Sequence, residues 1–162
     1  MSDIHYVTGD ATYPRGSGPR IIAHNCNDAG RWGAGFVEAV SERFPSVETA
    51  YREWAESSTY GTLPLGEVQF VQVGDSLWIA NMIGQVGRRT LNVPPIRYYA
   101  LKEALERVGE HALDVEASVH MPRIGTGLAG GSWARIEHLI RETLLRKCIT
   151  TYIYDLPGGA SQ

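Results

Sequence analysis

Apolar residues in this chain recur with two different periods, and the order in which those periods alternate restricts the folds open to it. Residues 4–8 and 20–26 are short apolar runs of strand type. Residues 35–44 place Phe36, Val37, Val40 and Phe44 at helical spacing. Pro45-Ser46 starts a second helix expected to reach about Ser57, with Ser46 as its cap and Glu48 in its first turn. Residues 67–73 alternate polar and apolar, Gly74-Asp75 signals a turn, and 76–83 completes a hairpin. Pro94-Pro95 opens a helix expected to reach about Leu113, with Tyr99, Leu101, Leu105 and Val108 as its buried face. A strand over 117–123, a helix over 133–146 burying Ile136, Leu139, Ile140 and Leu144, and a strand over 149–154 follow. The order is ββααββαβαβ. Helices between strands require crossovers, so the expected fold class is α/β, a three-layer α/β/α sandwich on a mixed, mostly parallel six-stranded sheet. A chain of 162 residues suffices for one such domain, assigned to residues 1–157, with 158–162 as a flexible tail.

Charge narrows the function. The formal net charge is -3, and Lys and Arg are scattered, so the basic footprint of a nucleic-acid binder is missing. The sequence shows neither a secretory leader nor an apolar run long enough to span a membrane, which gives a cytoplasmic expectation and no membrane partner. Two cysteines, Cys26 and Cys148, form no disulfide framework. Cys26 reads first as a small buried thiol at a strand end, with a nucleophile as the alternative. The five histidines lie far apart in sequence, so no metal site is expected, and no cofactor.

Two glycine-rich loops carry the chemical signal. One is Asn27-Asp28-Ala29-Gly30-Arg31-Trp32-Gly33-Ala34-Gly35, between the strand at 20–26 and a helix. The other is Gly125-Thr126-Gly127-Leu128-Ala129-Gly130-Gly131-Ser132, between the strand at 117–123 and a helix. Ligands of open α/β sheets bind beyond the carboxyl ends of the strands. Glycines there let backbone N–H groups approach a ligand, and a helix N-terminus favours negative charge. Two such loops suit a diphosphate held with little help from cationic side chains. Neither matches a P-loop or a dinucleotide fingerprint. Asn25, Asn27 and Asp28 offer the donors and acceptors a hydroxyl-rich ligand needs. Asp10 can accept from an exocyclic amine such as adenine's, or cap a turn. Trp32 either stacks on a ligand or packs. Arg88-Arg89 read as solvated, with steering of a phosphorylated ligand as the alternative.

In this order the segments Val7-Thr8-Gly9-Asp10, His24-Asn25-Cys26-Asn27-Asp28, Trp32-Gly33-Ala34-Gly35, Met121-Pro122-Arg123-Ile124-Gly125-Thr126-Gly127-Leu128 with Trp133, and Tyr152-Ile153-Tyr154-Asp155-Leu156-Pro157 resemble a macrodomain. The likeness is to the branch of the chromatin-remodeller macrodomain and the terminal ADP-ribose protein glycohydrolase. The resemblance implies binding of ADP-ribose. Asp10 and Ala11 would hold the adenine, flanked by Tyr154 and Leu156. Gly33, Ala34, Gly35 and Phe36 would wrap the diphosphate with Gly125, Thr126, Gly127 and Leu128. Asn25, Asn27 and Asp28 would surround the distal ribose. The glycohydrolase's lysine and aspartate are matched here by Gln85 and Ala129, and an amide nitrogen cannot form a Schiff base.

The expected function is therefore an ADP-ribosylhydrolase that frees mono-ADP-ribose from acidic side chains of proteins, with Asp28, Asn27 and Gln85 placing the water. Two alternatives stand beside it. One is a non-catalytic reader of ADP-ribosylated proteins. The other is an ADP-ribose 1''-phosphatase or O-acetyl-ADP-ribose deacetylase. The expected partners are ADP-ribose and modified proteins, with modified nucleic acid left open, and the expected oligomeric state is a monomer.

Overall fold

The computed structural model describes residues 3–87 and 92–158. Arg88 and Arg89 fall outside the described residues, as do positions 159–162 of the expected tail; Gly158 lies in a turn. The strands are β1 (His5–Thr8), β2 (Arg20–Asn27), β3 (Val68–Gly74), β4 (Leu77–Gln85), β5 (Ser118–Pro122) and β6 (Thr151–Asp155). The helices are α1 (Phe36–Arg43), α2 (Pro45–Glu56), α3 (Tyr98–Val115) and α4 (Trp133–Thr143), with a short 3-10 turn at Leu145–Lys147. The sheet order is β1-β6-β5-β2-β4-β3. Every pair is parallel except the β3–β4 hairpin. The expected mixed, mostly parallel sheet is what the chain forms.

Strand alternation divides the core in two. Ile21, Ala23, Ala80, Met82, Val119, Met121 and Ile153 point into the layer closed by α3 and α4. Ile22, Cys26, Ile79 and Ile83 point the other way, against Val37, Val40, Val47 and Tyr51 of α1 and α2. That is the three-layer sandwich. No helix among the described residues is long and apolar enough to cross a membrane.

Three local expectations are corrected. α3 starts at Tyr98 rather than at Pro94, because residues 94–97 are extended and paired: Ile96 bridges Gln85, and the Val86 N–H donates to the Pro95 carbonyl at 3.0 Å. Two consecutive prolines bias the preceding backbone away from the helical region. Tyr99 is 60% exposed. The buried stripe is Ala100, Leu101, Ala104, Leu105, Val108 and Ala112, one residue further round the helix. Ser46 does not cap α2; Pro45 occupies the first turn behind Phe44, with no side-chain cap.

The register of β2 on β4 shifts once. Cys26 pairs with Ile83 and Asn27 with Gln85, so Gly84 is the extra residue of a bulge. The bulge lies at the carboxyl end of the parallel strands.

Candidate functional site

Beyond the carboxyl ends of β1, β6, β5, β2 and β4 lie two cavities that share Gly35 and Phe36 as a common wall. The first, of about 240 Å³, is lined by Asp10, Ala11, Arg123, Tyr154, Asp155 and Leu156, among others. The second, of about 340 Å³, is lined by Asn25, Asn27, Arg31, Trp32, Gly33, Ala34, Gln85, Gly125, Gly127 and Leu128, among others. Together they make one cleft pinched at the start of α1. The sequence-derived residues Asp10, Ala11, Asn25, Asn27, Trp32 to Phe36, Gln85, Gly125, Gly127, Leu128, Tyr154 and Leu156 all meet there.

The pinch is built from backbone. Gly35 stands at the N-cap of α1 with φ 95° and ψ -133°, a conformation open only to glycine, and no side chain caps the helix. Among the described residues, no backbone N–H from 33 to 37 or from 125 to 129 donates to protein. In the second loop, the Gly131 N–H donates to the Gly125 carbonyl at 2.7 Å and the Gly130 N–H to that of Gly127 at 3.0 Å, which folds the loop back on itself. A Cβ at Gly131 would stand 2.5 Å from the Gly125 carbonyl oxygen, so this closure needs glycine. One run of unsatisfied donors thus sits at the wall the two cavities share and the other along the second cavity, an arrangement suited to an anion.

At the far end, Asn25 Nδ2 donates to Gln85 Oε1 at 2.8 Å. Asn25 Oδ1 is buried with no partner. It faces Gly84, where an added Cβ would stand 2.3 Å from it. Both residues line the second cavity, and together the two amides supply the donor and acceptor types a hydroxyl needs. Gly84 was missed in the sequence. Its signal was a glycine inside a strand pattern, which marks a bulge or a close approach.

Other residues are committed to the frame. The Asp28 carboxylate accepts from the Gly87 N–H at 2.8 Å, and Asp28 is not among the lining residues. Thr126 also stands off the cleft, its hydroxyl donating to the Arg123 carbonyl at 2.8 Å. Asn27 lines the cavity, yet its amide shapes the loop: Nδ2 donates to the Arg31 carbonyl at 2.6 Å, and Oδ1 accepts from the N–H groups of Ala29 (2.9 Å) and Arg31 (3.2 Å). Trp32 packs, with Nε1 donating to Ser41 Oγ at 2.6 Å and its ring against His24 and Tyr51. Asp10 caps its turn and also stands at the first cavity. Its Oδ1 accepts from the Thr12 N–H and hydroxyl at 2.8 and 2.7 Å, while the residue lines the first cavity. Beside it Arg123 and Asp155 form a two-point ion pair at 2.6 and 3.0 Å. Each holds the other charged: the hydrogen bond to Arg123 lowers the Asp155 carboxyl below its ordinary range, and Asp155 raises Arg123.

Cys26 is the small buried thiol at a strand end. Burial pushes its thiol up, which disfavours the nucleophilic thiolate. Burial also lowers His24 to about 4; its Nε2 faces Asn81 Oδ1 at 2.5 Å, which makes Nε2 the protonated nitrogen. His120 is lowered to about 3, again by burial. Both histidines are neutral in the fold but titrate near 6.5 when unfolded, so the unfolded chain takes up protons first as pH falls. Stability is therefore complete above about pH 6.5 and declines towards pH 4, by roughly 3 kcal/mol per histidine over that window. Melting temperatures at pH 7.5 and 4.5 check this, and equal values at the two would contradict it. No group of three or more His, Cys, Asp and Glu among the described residues is placed to hold a metal.

No family model matches the chain. Chromodomain-helicase-DNA-binding protein 1-like from Mus musculus is 33% identical over 170 aligned residues, covering 99% of this chain but 19% of that protein, so the chain spans about a fifth of this relative's length. ADP-ribose 1''-phosphate phosphatase from Saccharomyces cerevisiae is 27% identical over 168 aligned residues, with 88% of this chain and 93% of that protein covered. The solved structure of a macrodomain protein from Streptomyces coelicolor matches with a TM-score of 0.84 and 52% identity, covering 94% of this chain and 99% of that one. Shared architecture alone would be weak ground, but identity at that level along nearly the whole of both chains is not a coincidence of fold, and this chain belongs to the macrodomain family.

Proposed function

We propose that the cleft binds ADP-ribose and that the protein hydrolyses its esters with acidic side chains. The observation that carries the binding is the pair of N–H runs without described protein acceptors, 33–37 on the wall the two cavities share and 125–129 along the second cavity. A diphosphate fits the joint without a cationic clamp. Adenosine then takes the Asp10–Tyr154 cavity, and the distal ribose takes the Asn25–Gln85 cavity. The family supports the ligand, and a relative's name carries an ADP-ribose phosphoester.

The chemistry follows from what the distal cavity lacks. Its His24 is neutral and bonded to Asn81, its Cys26 is protonated, and the Asp28 carboxylate is anchored elsewhere. No lining residue is poised as a strong general base, so the scissile bond must carry its own good leaving group. A carboxylate at the anomeric carbon is one. Water forms a bond to that carbon, the carbon–acyloxy bond breaks, and the carboxylate leaves with the electron pair. The water's proton passes to a diphosphate oxygen. Asn25 and Gln85 orient the ribose and the attacking water; positioning of this kind contributes about 7 kcal/mol or more when the geometry is right.

Gln85→Ala is expected to slow release of ADP-ribose from glutamate-modified protein about 100-fold. Asp28→Asn is expected to stay within about threefold of wild type, because an amide oxygen still accepts from Gly87. Single-turnover release of labelled ADP-ribose from an auto-modified transferase measures both. Full activity in Gln85→Ala would remove the assignment. The same absence of a base favours a second reading, a binding module that leaves the modification intact. Retained label together with saturable ADP-ribose binding would establish it. Phosphate release from ADP-ribose 1''-phosphate without ester cleavage would point instead to the phosphatase.

A further inference from the structure

His120 is wholly buried and takes no part in the cleft, yet it stands in a chain of hydrogen bonds that ends there. Its Nε2 is 2.8 Å from Ser118 Oγ, and its Nδ1 is 2.7 Å from the Tyr154 hydroxyl. That hydroxyl also accepts from the Arg15 N–H at 2.8 Å. One assignment gives every proton of this chain a partner among the described residues. A neutral imidazole has one N–H. The Tyr154 oxygen is already an acceptor for Arg15, and among the described residues the one place for its own proton is His120 Nδ1. Nδ1 is therefore the acceptor, and Nε2–H donates to Ser118. The chain runs in one direction: Arg15 N–H to Tyr154, Tyr154 O–H to His120, His120 N–H to Ser118.

Two consequences reach the first cavity. The Tyr154 hydroxyl is turned into the sheet, so the ring that lines the cavity is held in one orientation. Arg15 belongs to the loop after β1 that carries Asp10, and Tyr154 is the anchor for its N–H. Other anchors of that loop are the Gly9 N–H, which donates to the Asp155 carbonyl at 2.8 Å, Arg20, which grips the Pro14 carbonyl at 2.7 Å, and Arg43, which grips that of Thr12. We propose that His120 is a positioning residue for base recognition, fixing through Tyr154 both the cavity wall and the Asp10 loop that faces it. This rests on the reading that adenosine occupies this cavity with its amine on Asp10.

The test uses a ratio, which a general loss of stability does not move. Calorimetry measures ADP-ribose and its hypoxanthine counterpart, in which an oxygen replaces the amine, against wild type, Tyr154→Phe, His120→Leu and His120→Asn. Wild type is expected to prefer ADP-ribose about tenfold or more, since the carboxylate meets a donor in one ligand and an acceptor in the other. Tyr154→Phe and His120→Leu are expected to bring the preference to about threefold or less. His120→Asn keeps an acceptor near the Nδ1 position and is expected to restore most of it. Should His120→Leu fail to fold, Tyr154→Phe, which removes a single oxygen, decides. An unchanged preference in Tyr154→Phe overturns the proposal, as does a wild type that binds both ligands equally. A wild type that binds neither overturns the ADP-ribose reading itself.

Discussion

Gly84→Ala is expected to lose about 100-fold in ADP-ribose release while its affinity for free ADP-ribose stays within about tenfold of wild type. The added methyl would stand 2.3 Å from Asn25 Oδ1 and 3.1 Å from a Leu101 methyl. It has no open direction to take, because Gly84 is buried in the bulge and its carbonyl is held by the Arg97 N–H at 2.9 Å. Asn25 must give way, and its other end is tied to Gln85 at 2.8 Å. Moving Asn25 therefore moves Gln85, and a displacement of about 1 Å at reacting groups costs on the order of 100-fold. Overpacking of this kind also lowers stability by about 1–3 kcal/mol, visible as a lower melting temperature. The adenosine cavity and the two N–H runs are left in place, which is why binding suffers less than turnover. Wild-type release by Gly84→Ala would mean that the Asn25–Gln85 pair does not serve the reaction.

Gly35→Ala is expected to act the other way round, weakening ADP-ribose binding by about 10- to 100-fold with little effect on the core. A Cβ here meets nothing within 4 Å, so packing does not oppose it. The obstacle is the backbone, whose φ of 95° and ψ of -133° cost a side-chain-bearing residue about 1–3 kcal/mol. The cheapest relief is rotation of the peptide between Gly35 and Phe36, which swings the Phe36 N–H away from the cleft. Calorimetric titration gives the loss of affinity directly. An unchanged dissociation constant would show that the wall shared by the two cavities does not hold the diphosphate.

Much of this was legible in the residues because it is local. Strand and helix periods, the Gly74-Asp75 turn and the strand–glycine–helix loops each depend on a few neighbouring positions, and the sheet they imply is the one formed. The helix over Tyr98–Val115 was misjudged at its start because the pairing of Ile96 with Gln85 is a contact across the fold. Tyr99 was misassigned to the buried face for the same reason: its neighbours Ala100 and Leu101 win the core, and small residues give no strong periodic signal. The cleft residues were legible as types but not as orientations. Asp28 follows a strand beside two asparagines, yet its carboxylate closes on Gly87, a partner 59 positions away. Arg123 with Asp155, and His120 with Tyr154, are brought together by the register of β5 on β6, which places His120 beside Tyr152 and Pro122 beside Tyr154. No pattern within either strand announces such pairs.

The central claim is that main-chain N–H groups on two loops grip one diphosphate. Its most direct measurement is titration of isotope-labelled protein with ADP-ribose, following the backbone amide resonances by nuclear magnetic resonance. The predicted result is saturable displacement of the amide signals of Gly33, Gly35, Phe36, Gly125, Gly127 and Leu128, all fitting one dissociation constant. Saturable binding that leaves those amides unmoved, or no saturation at millimolar ligand, would contradict it.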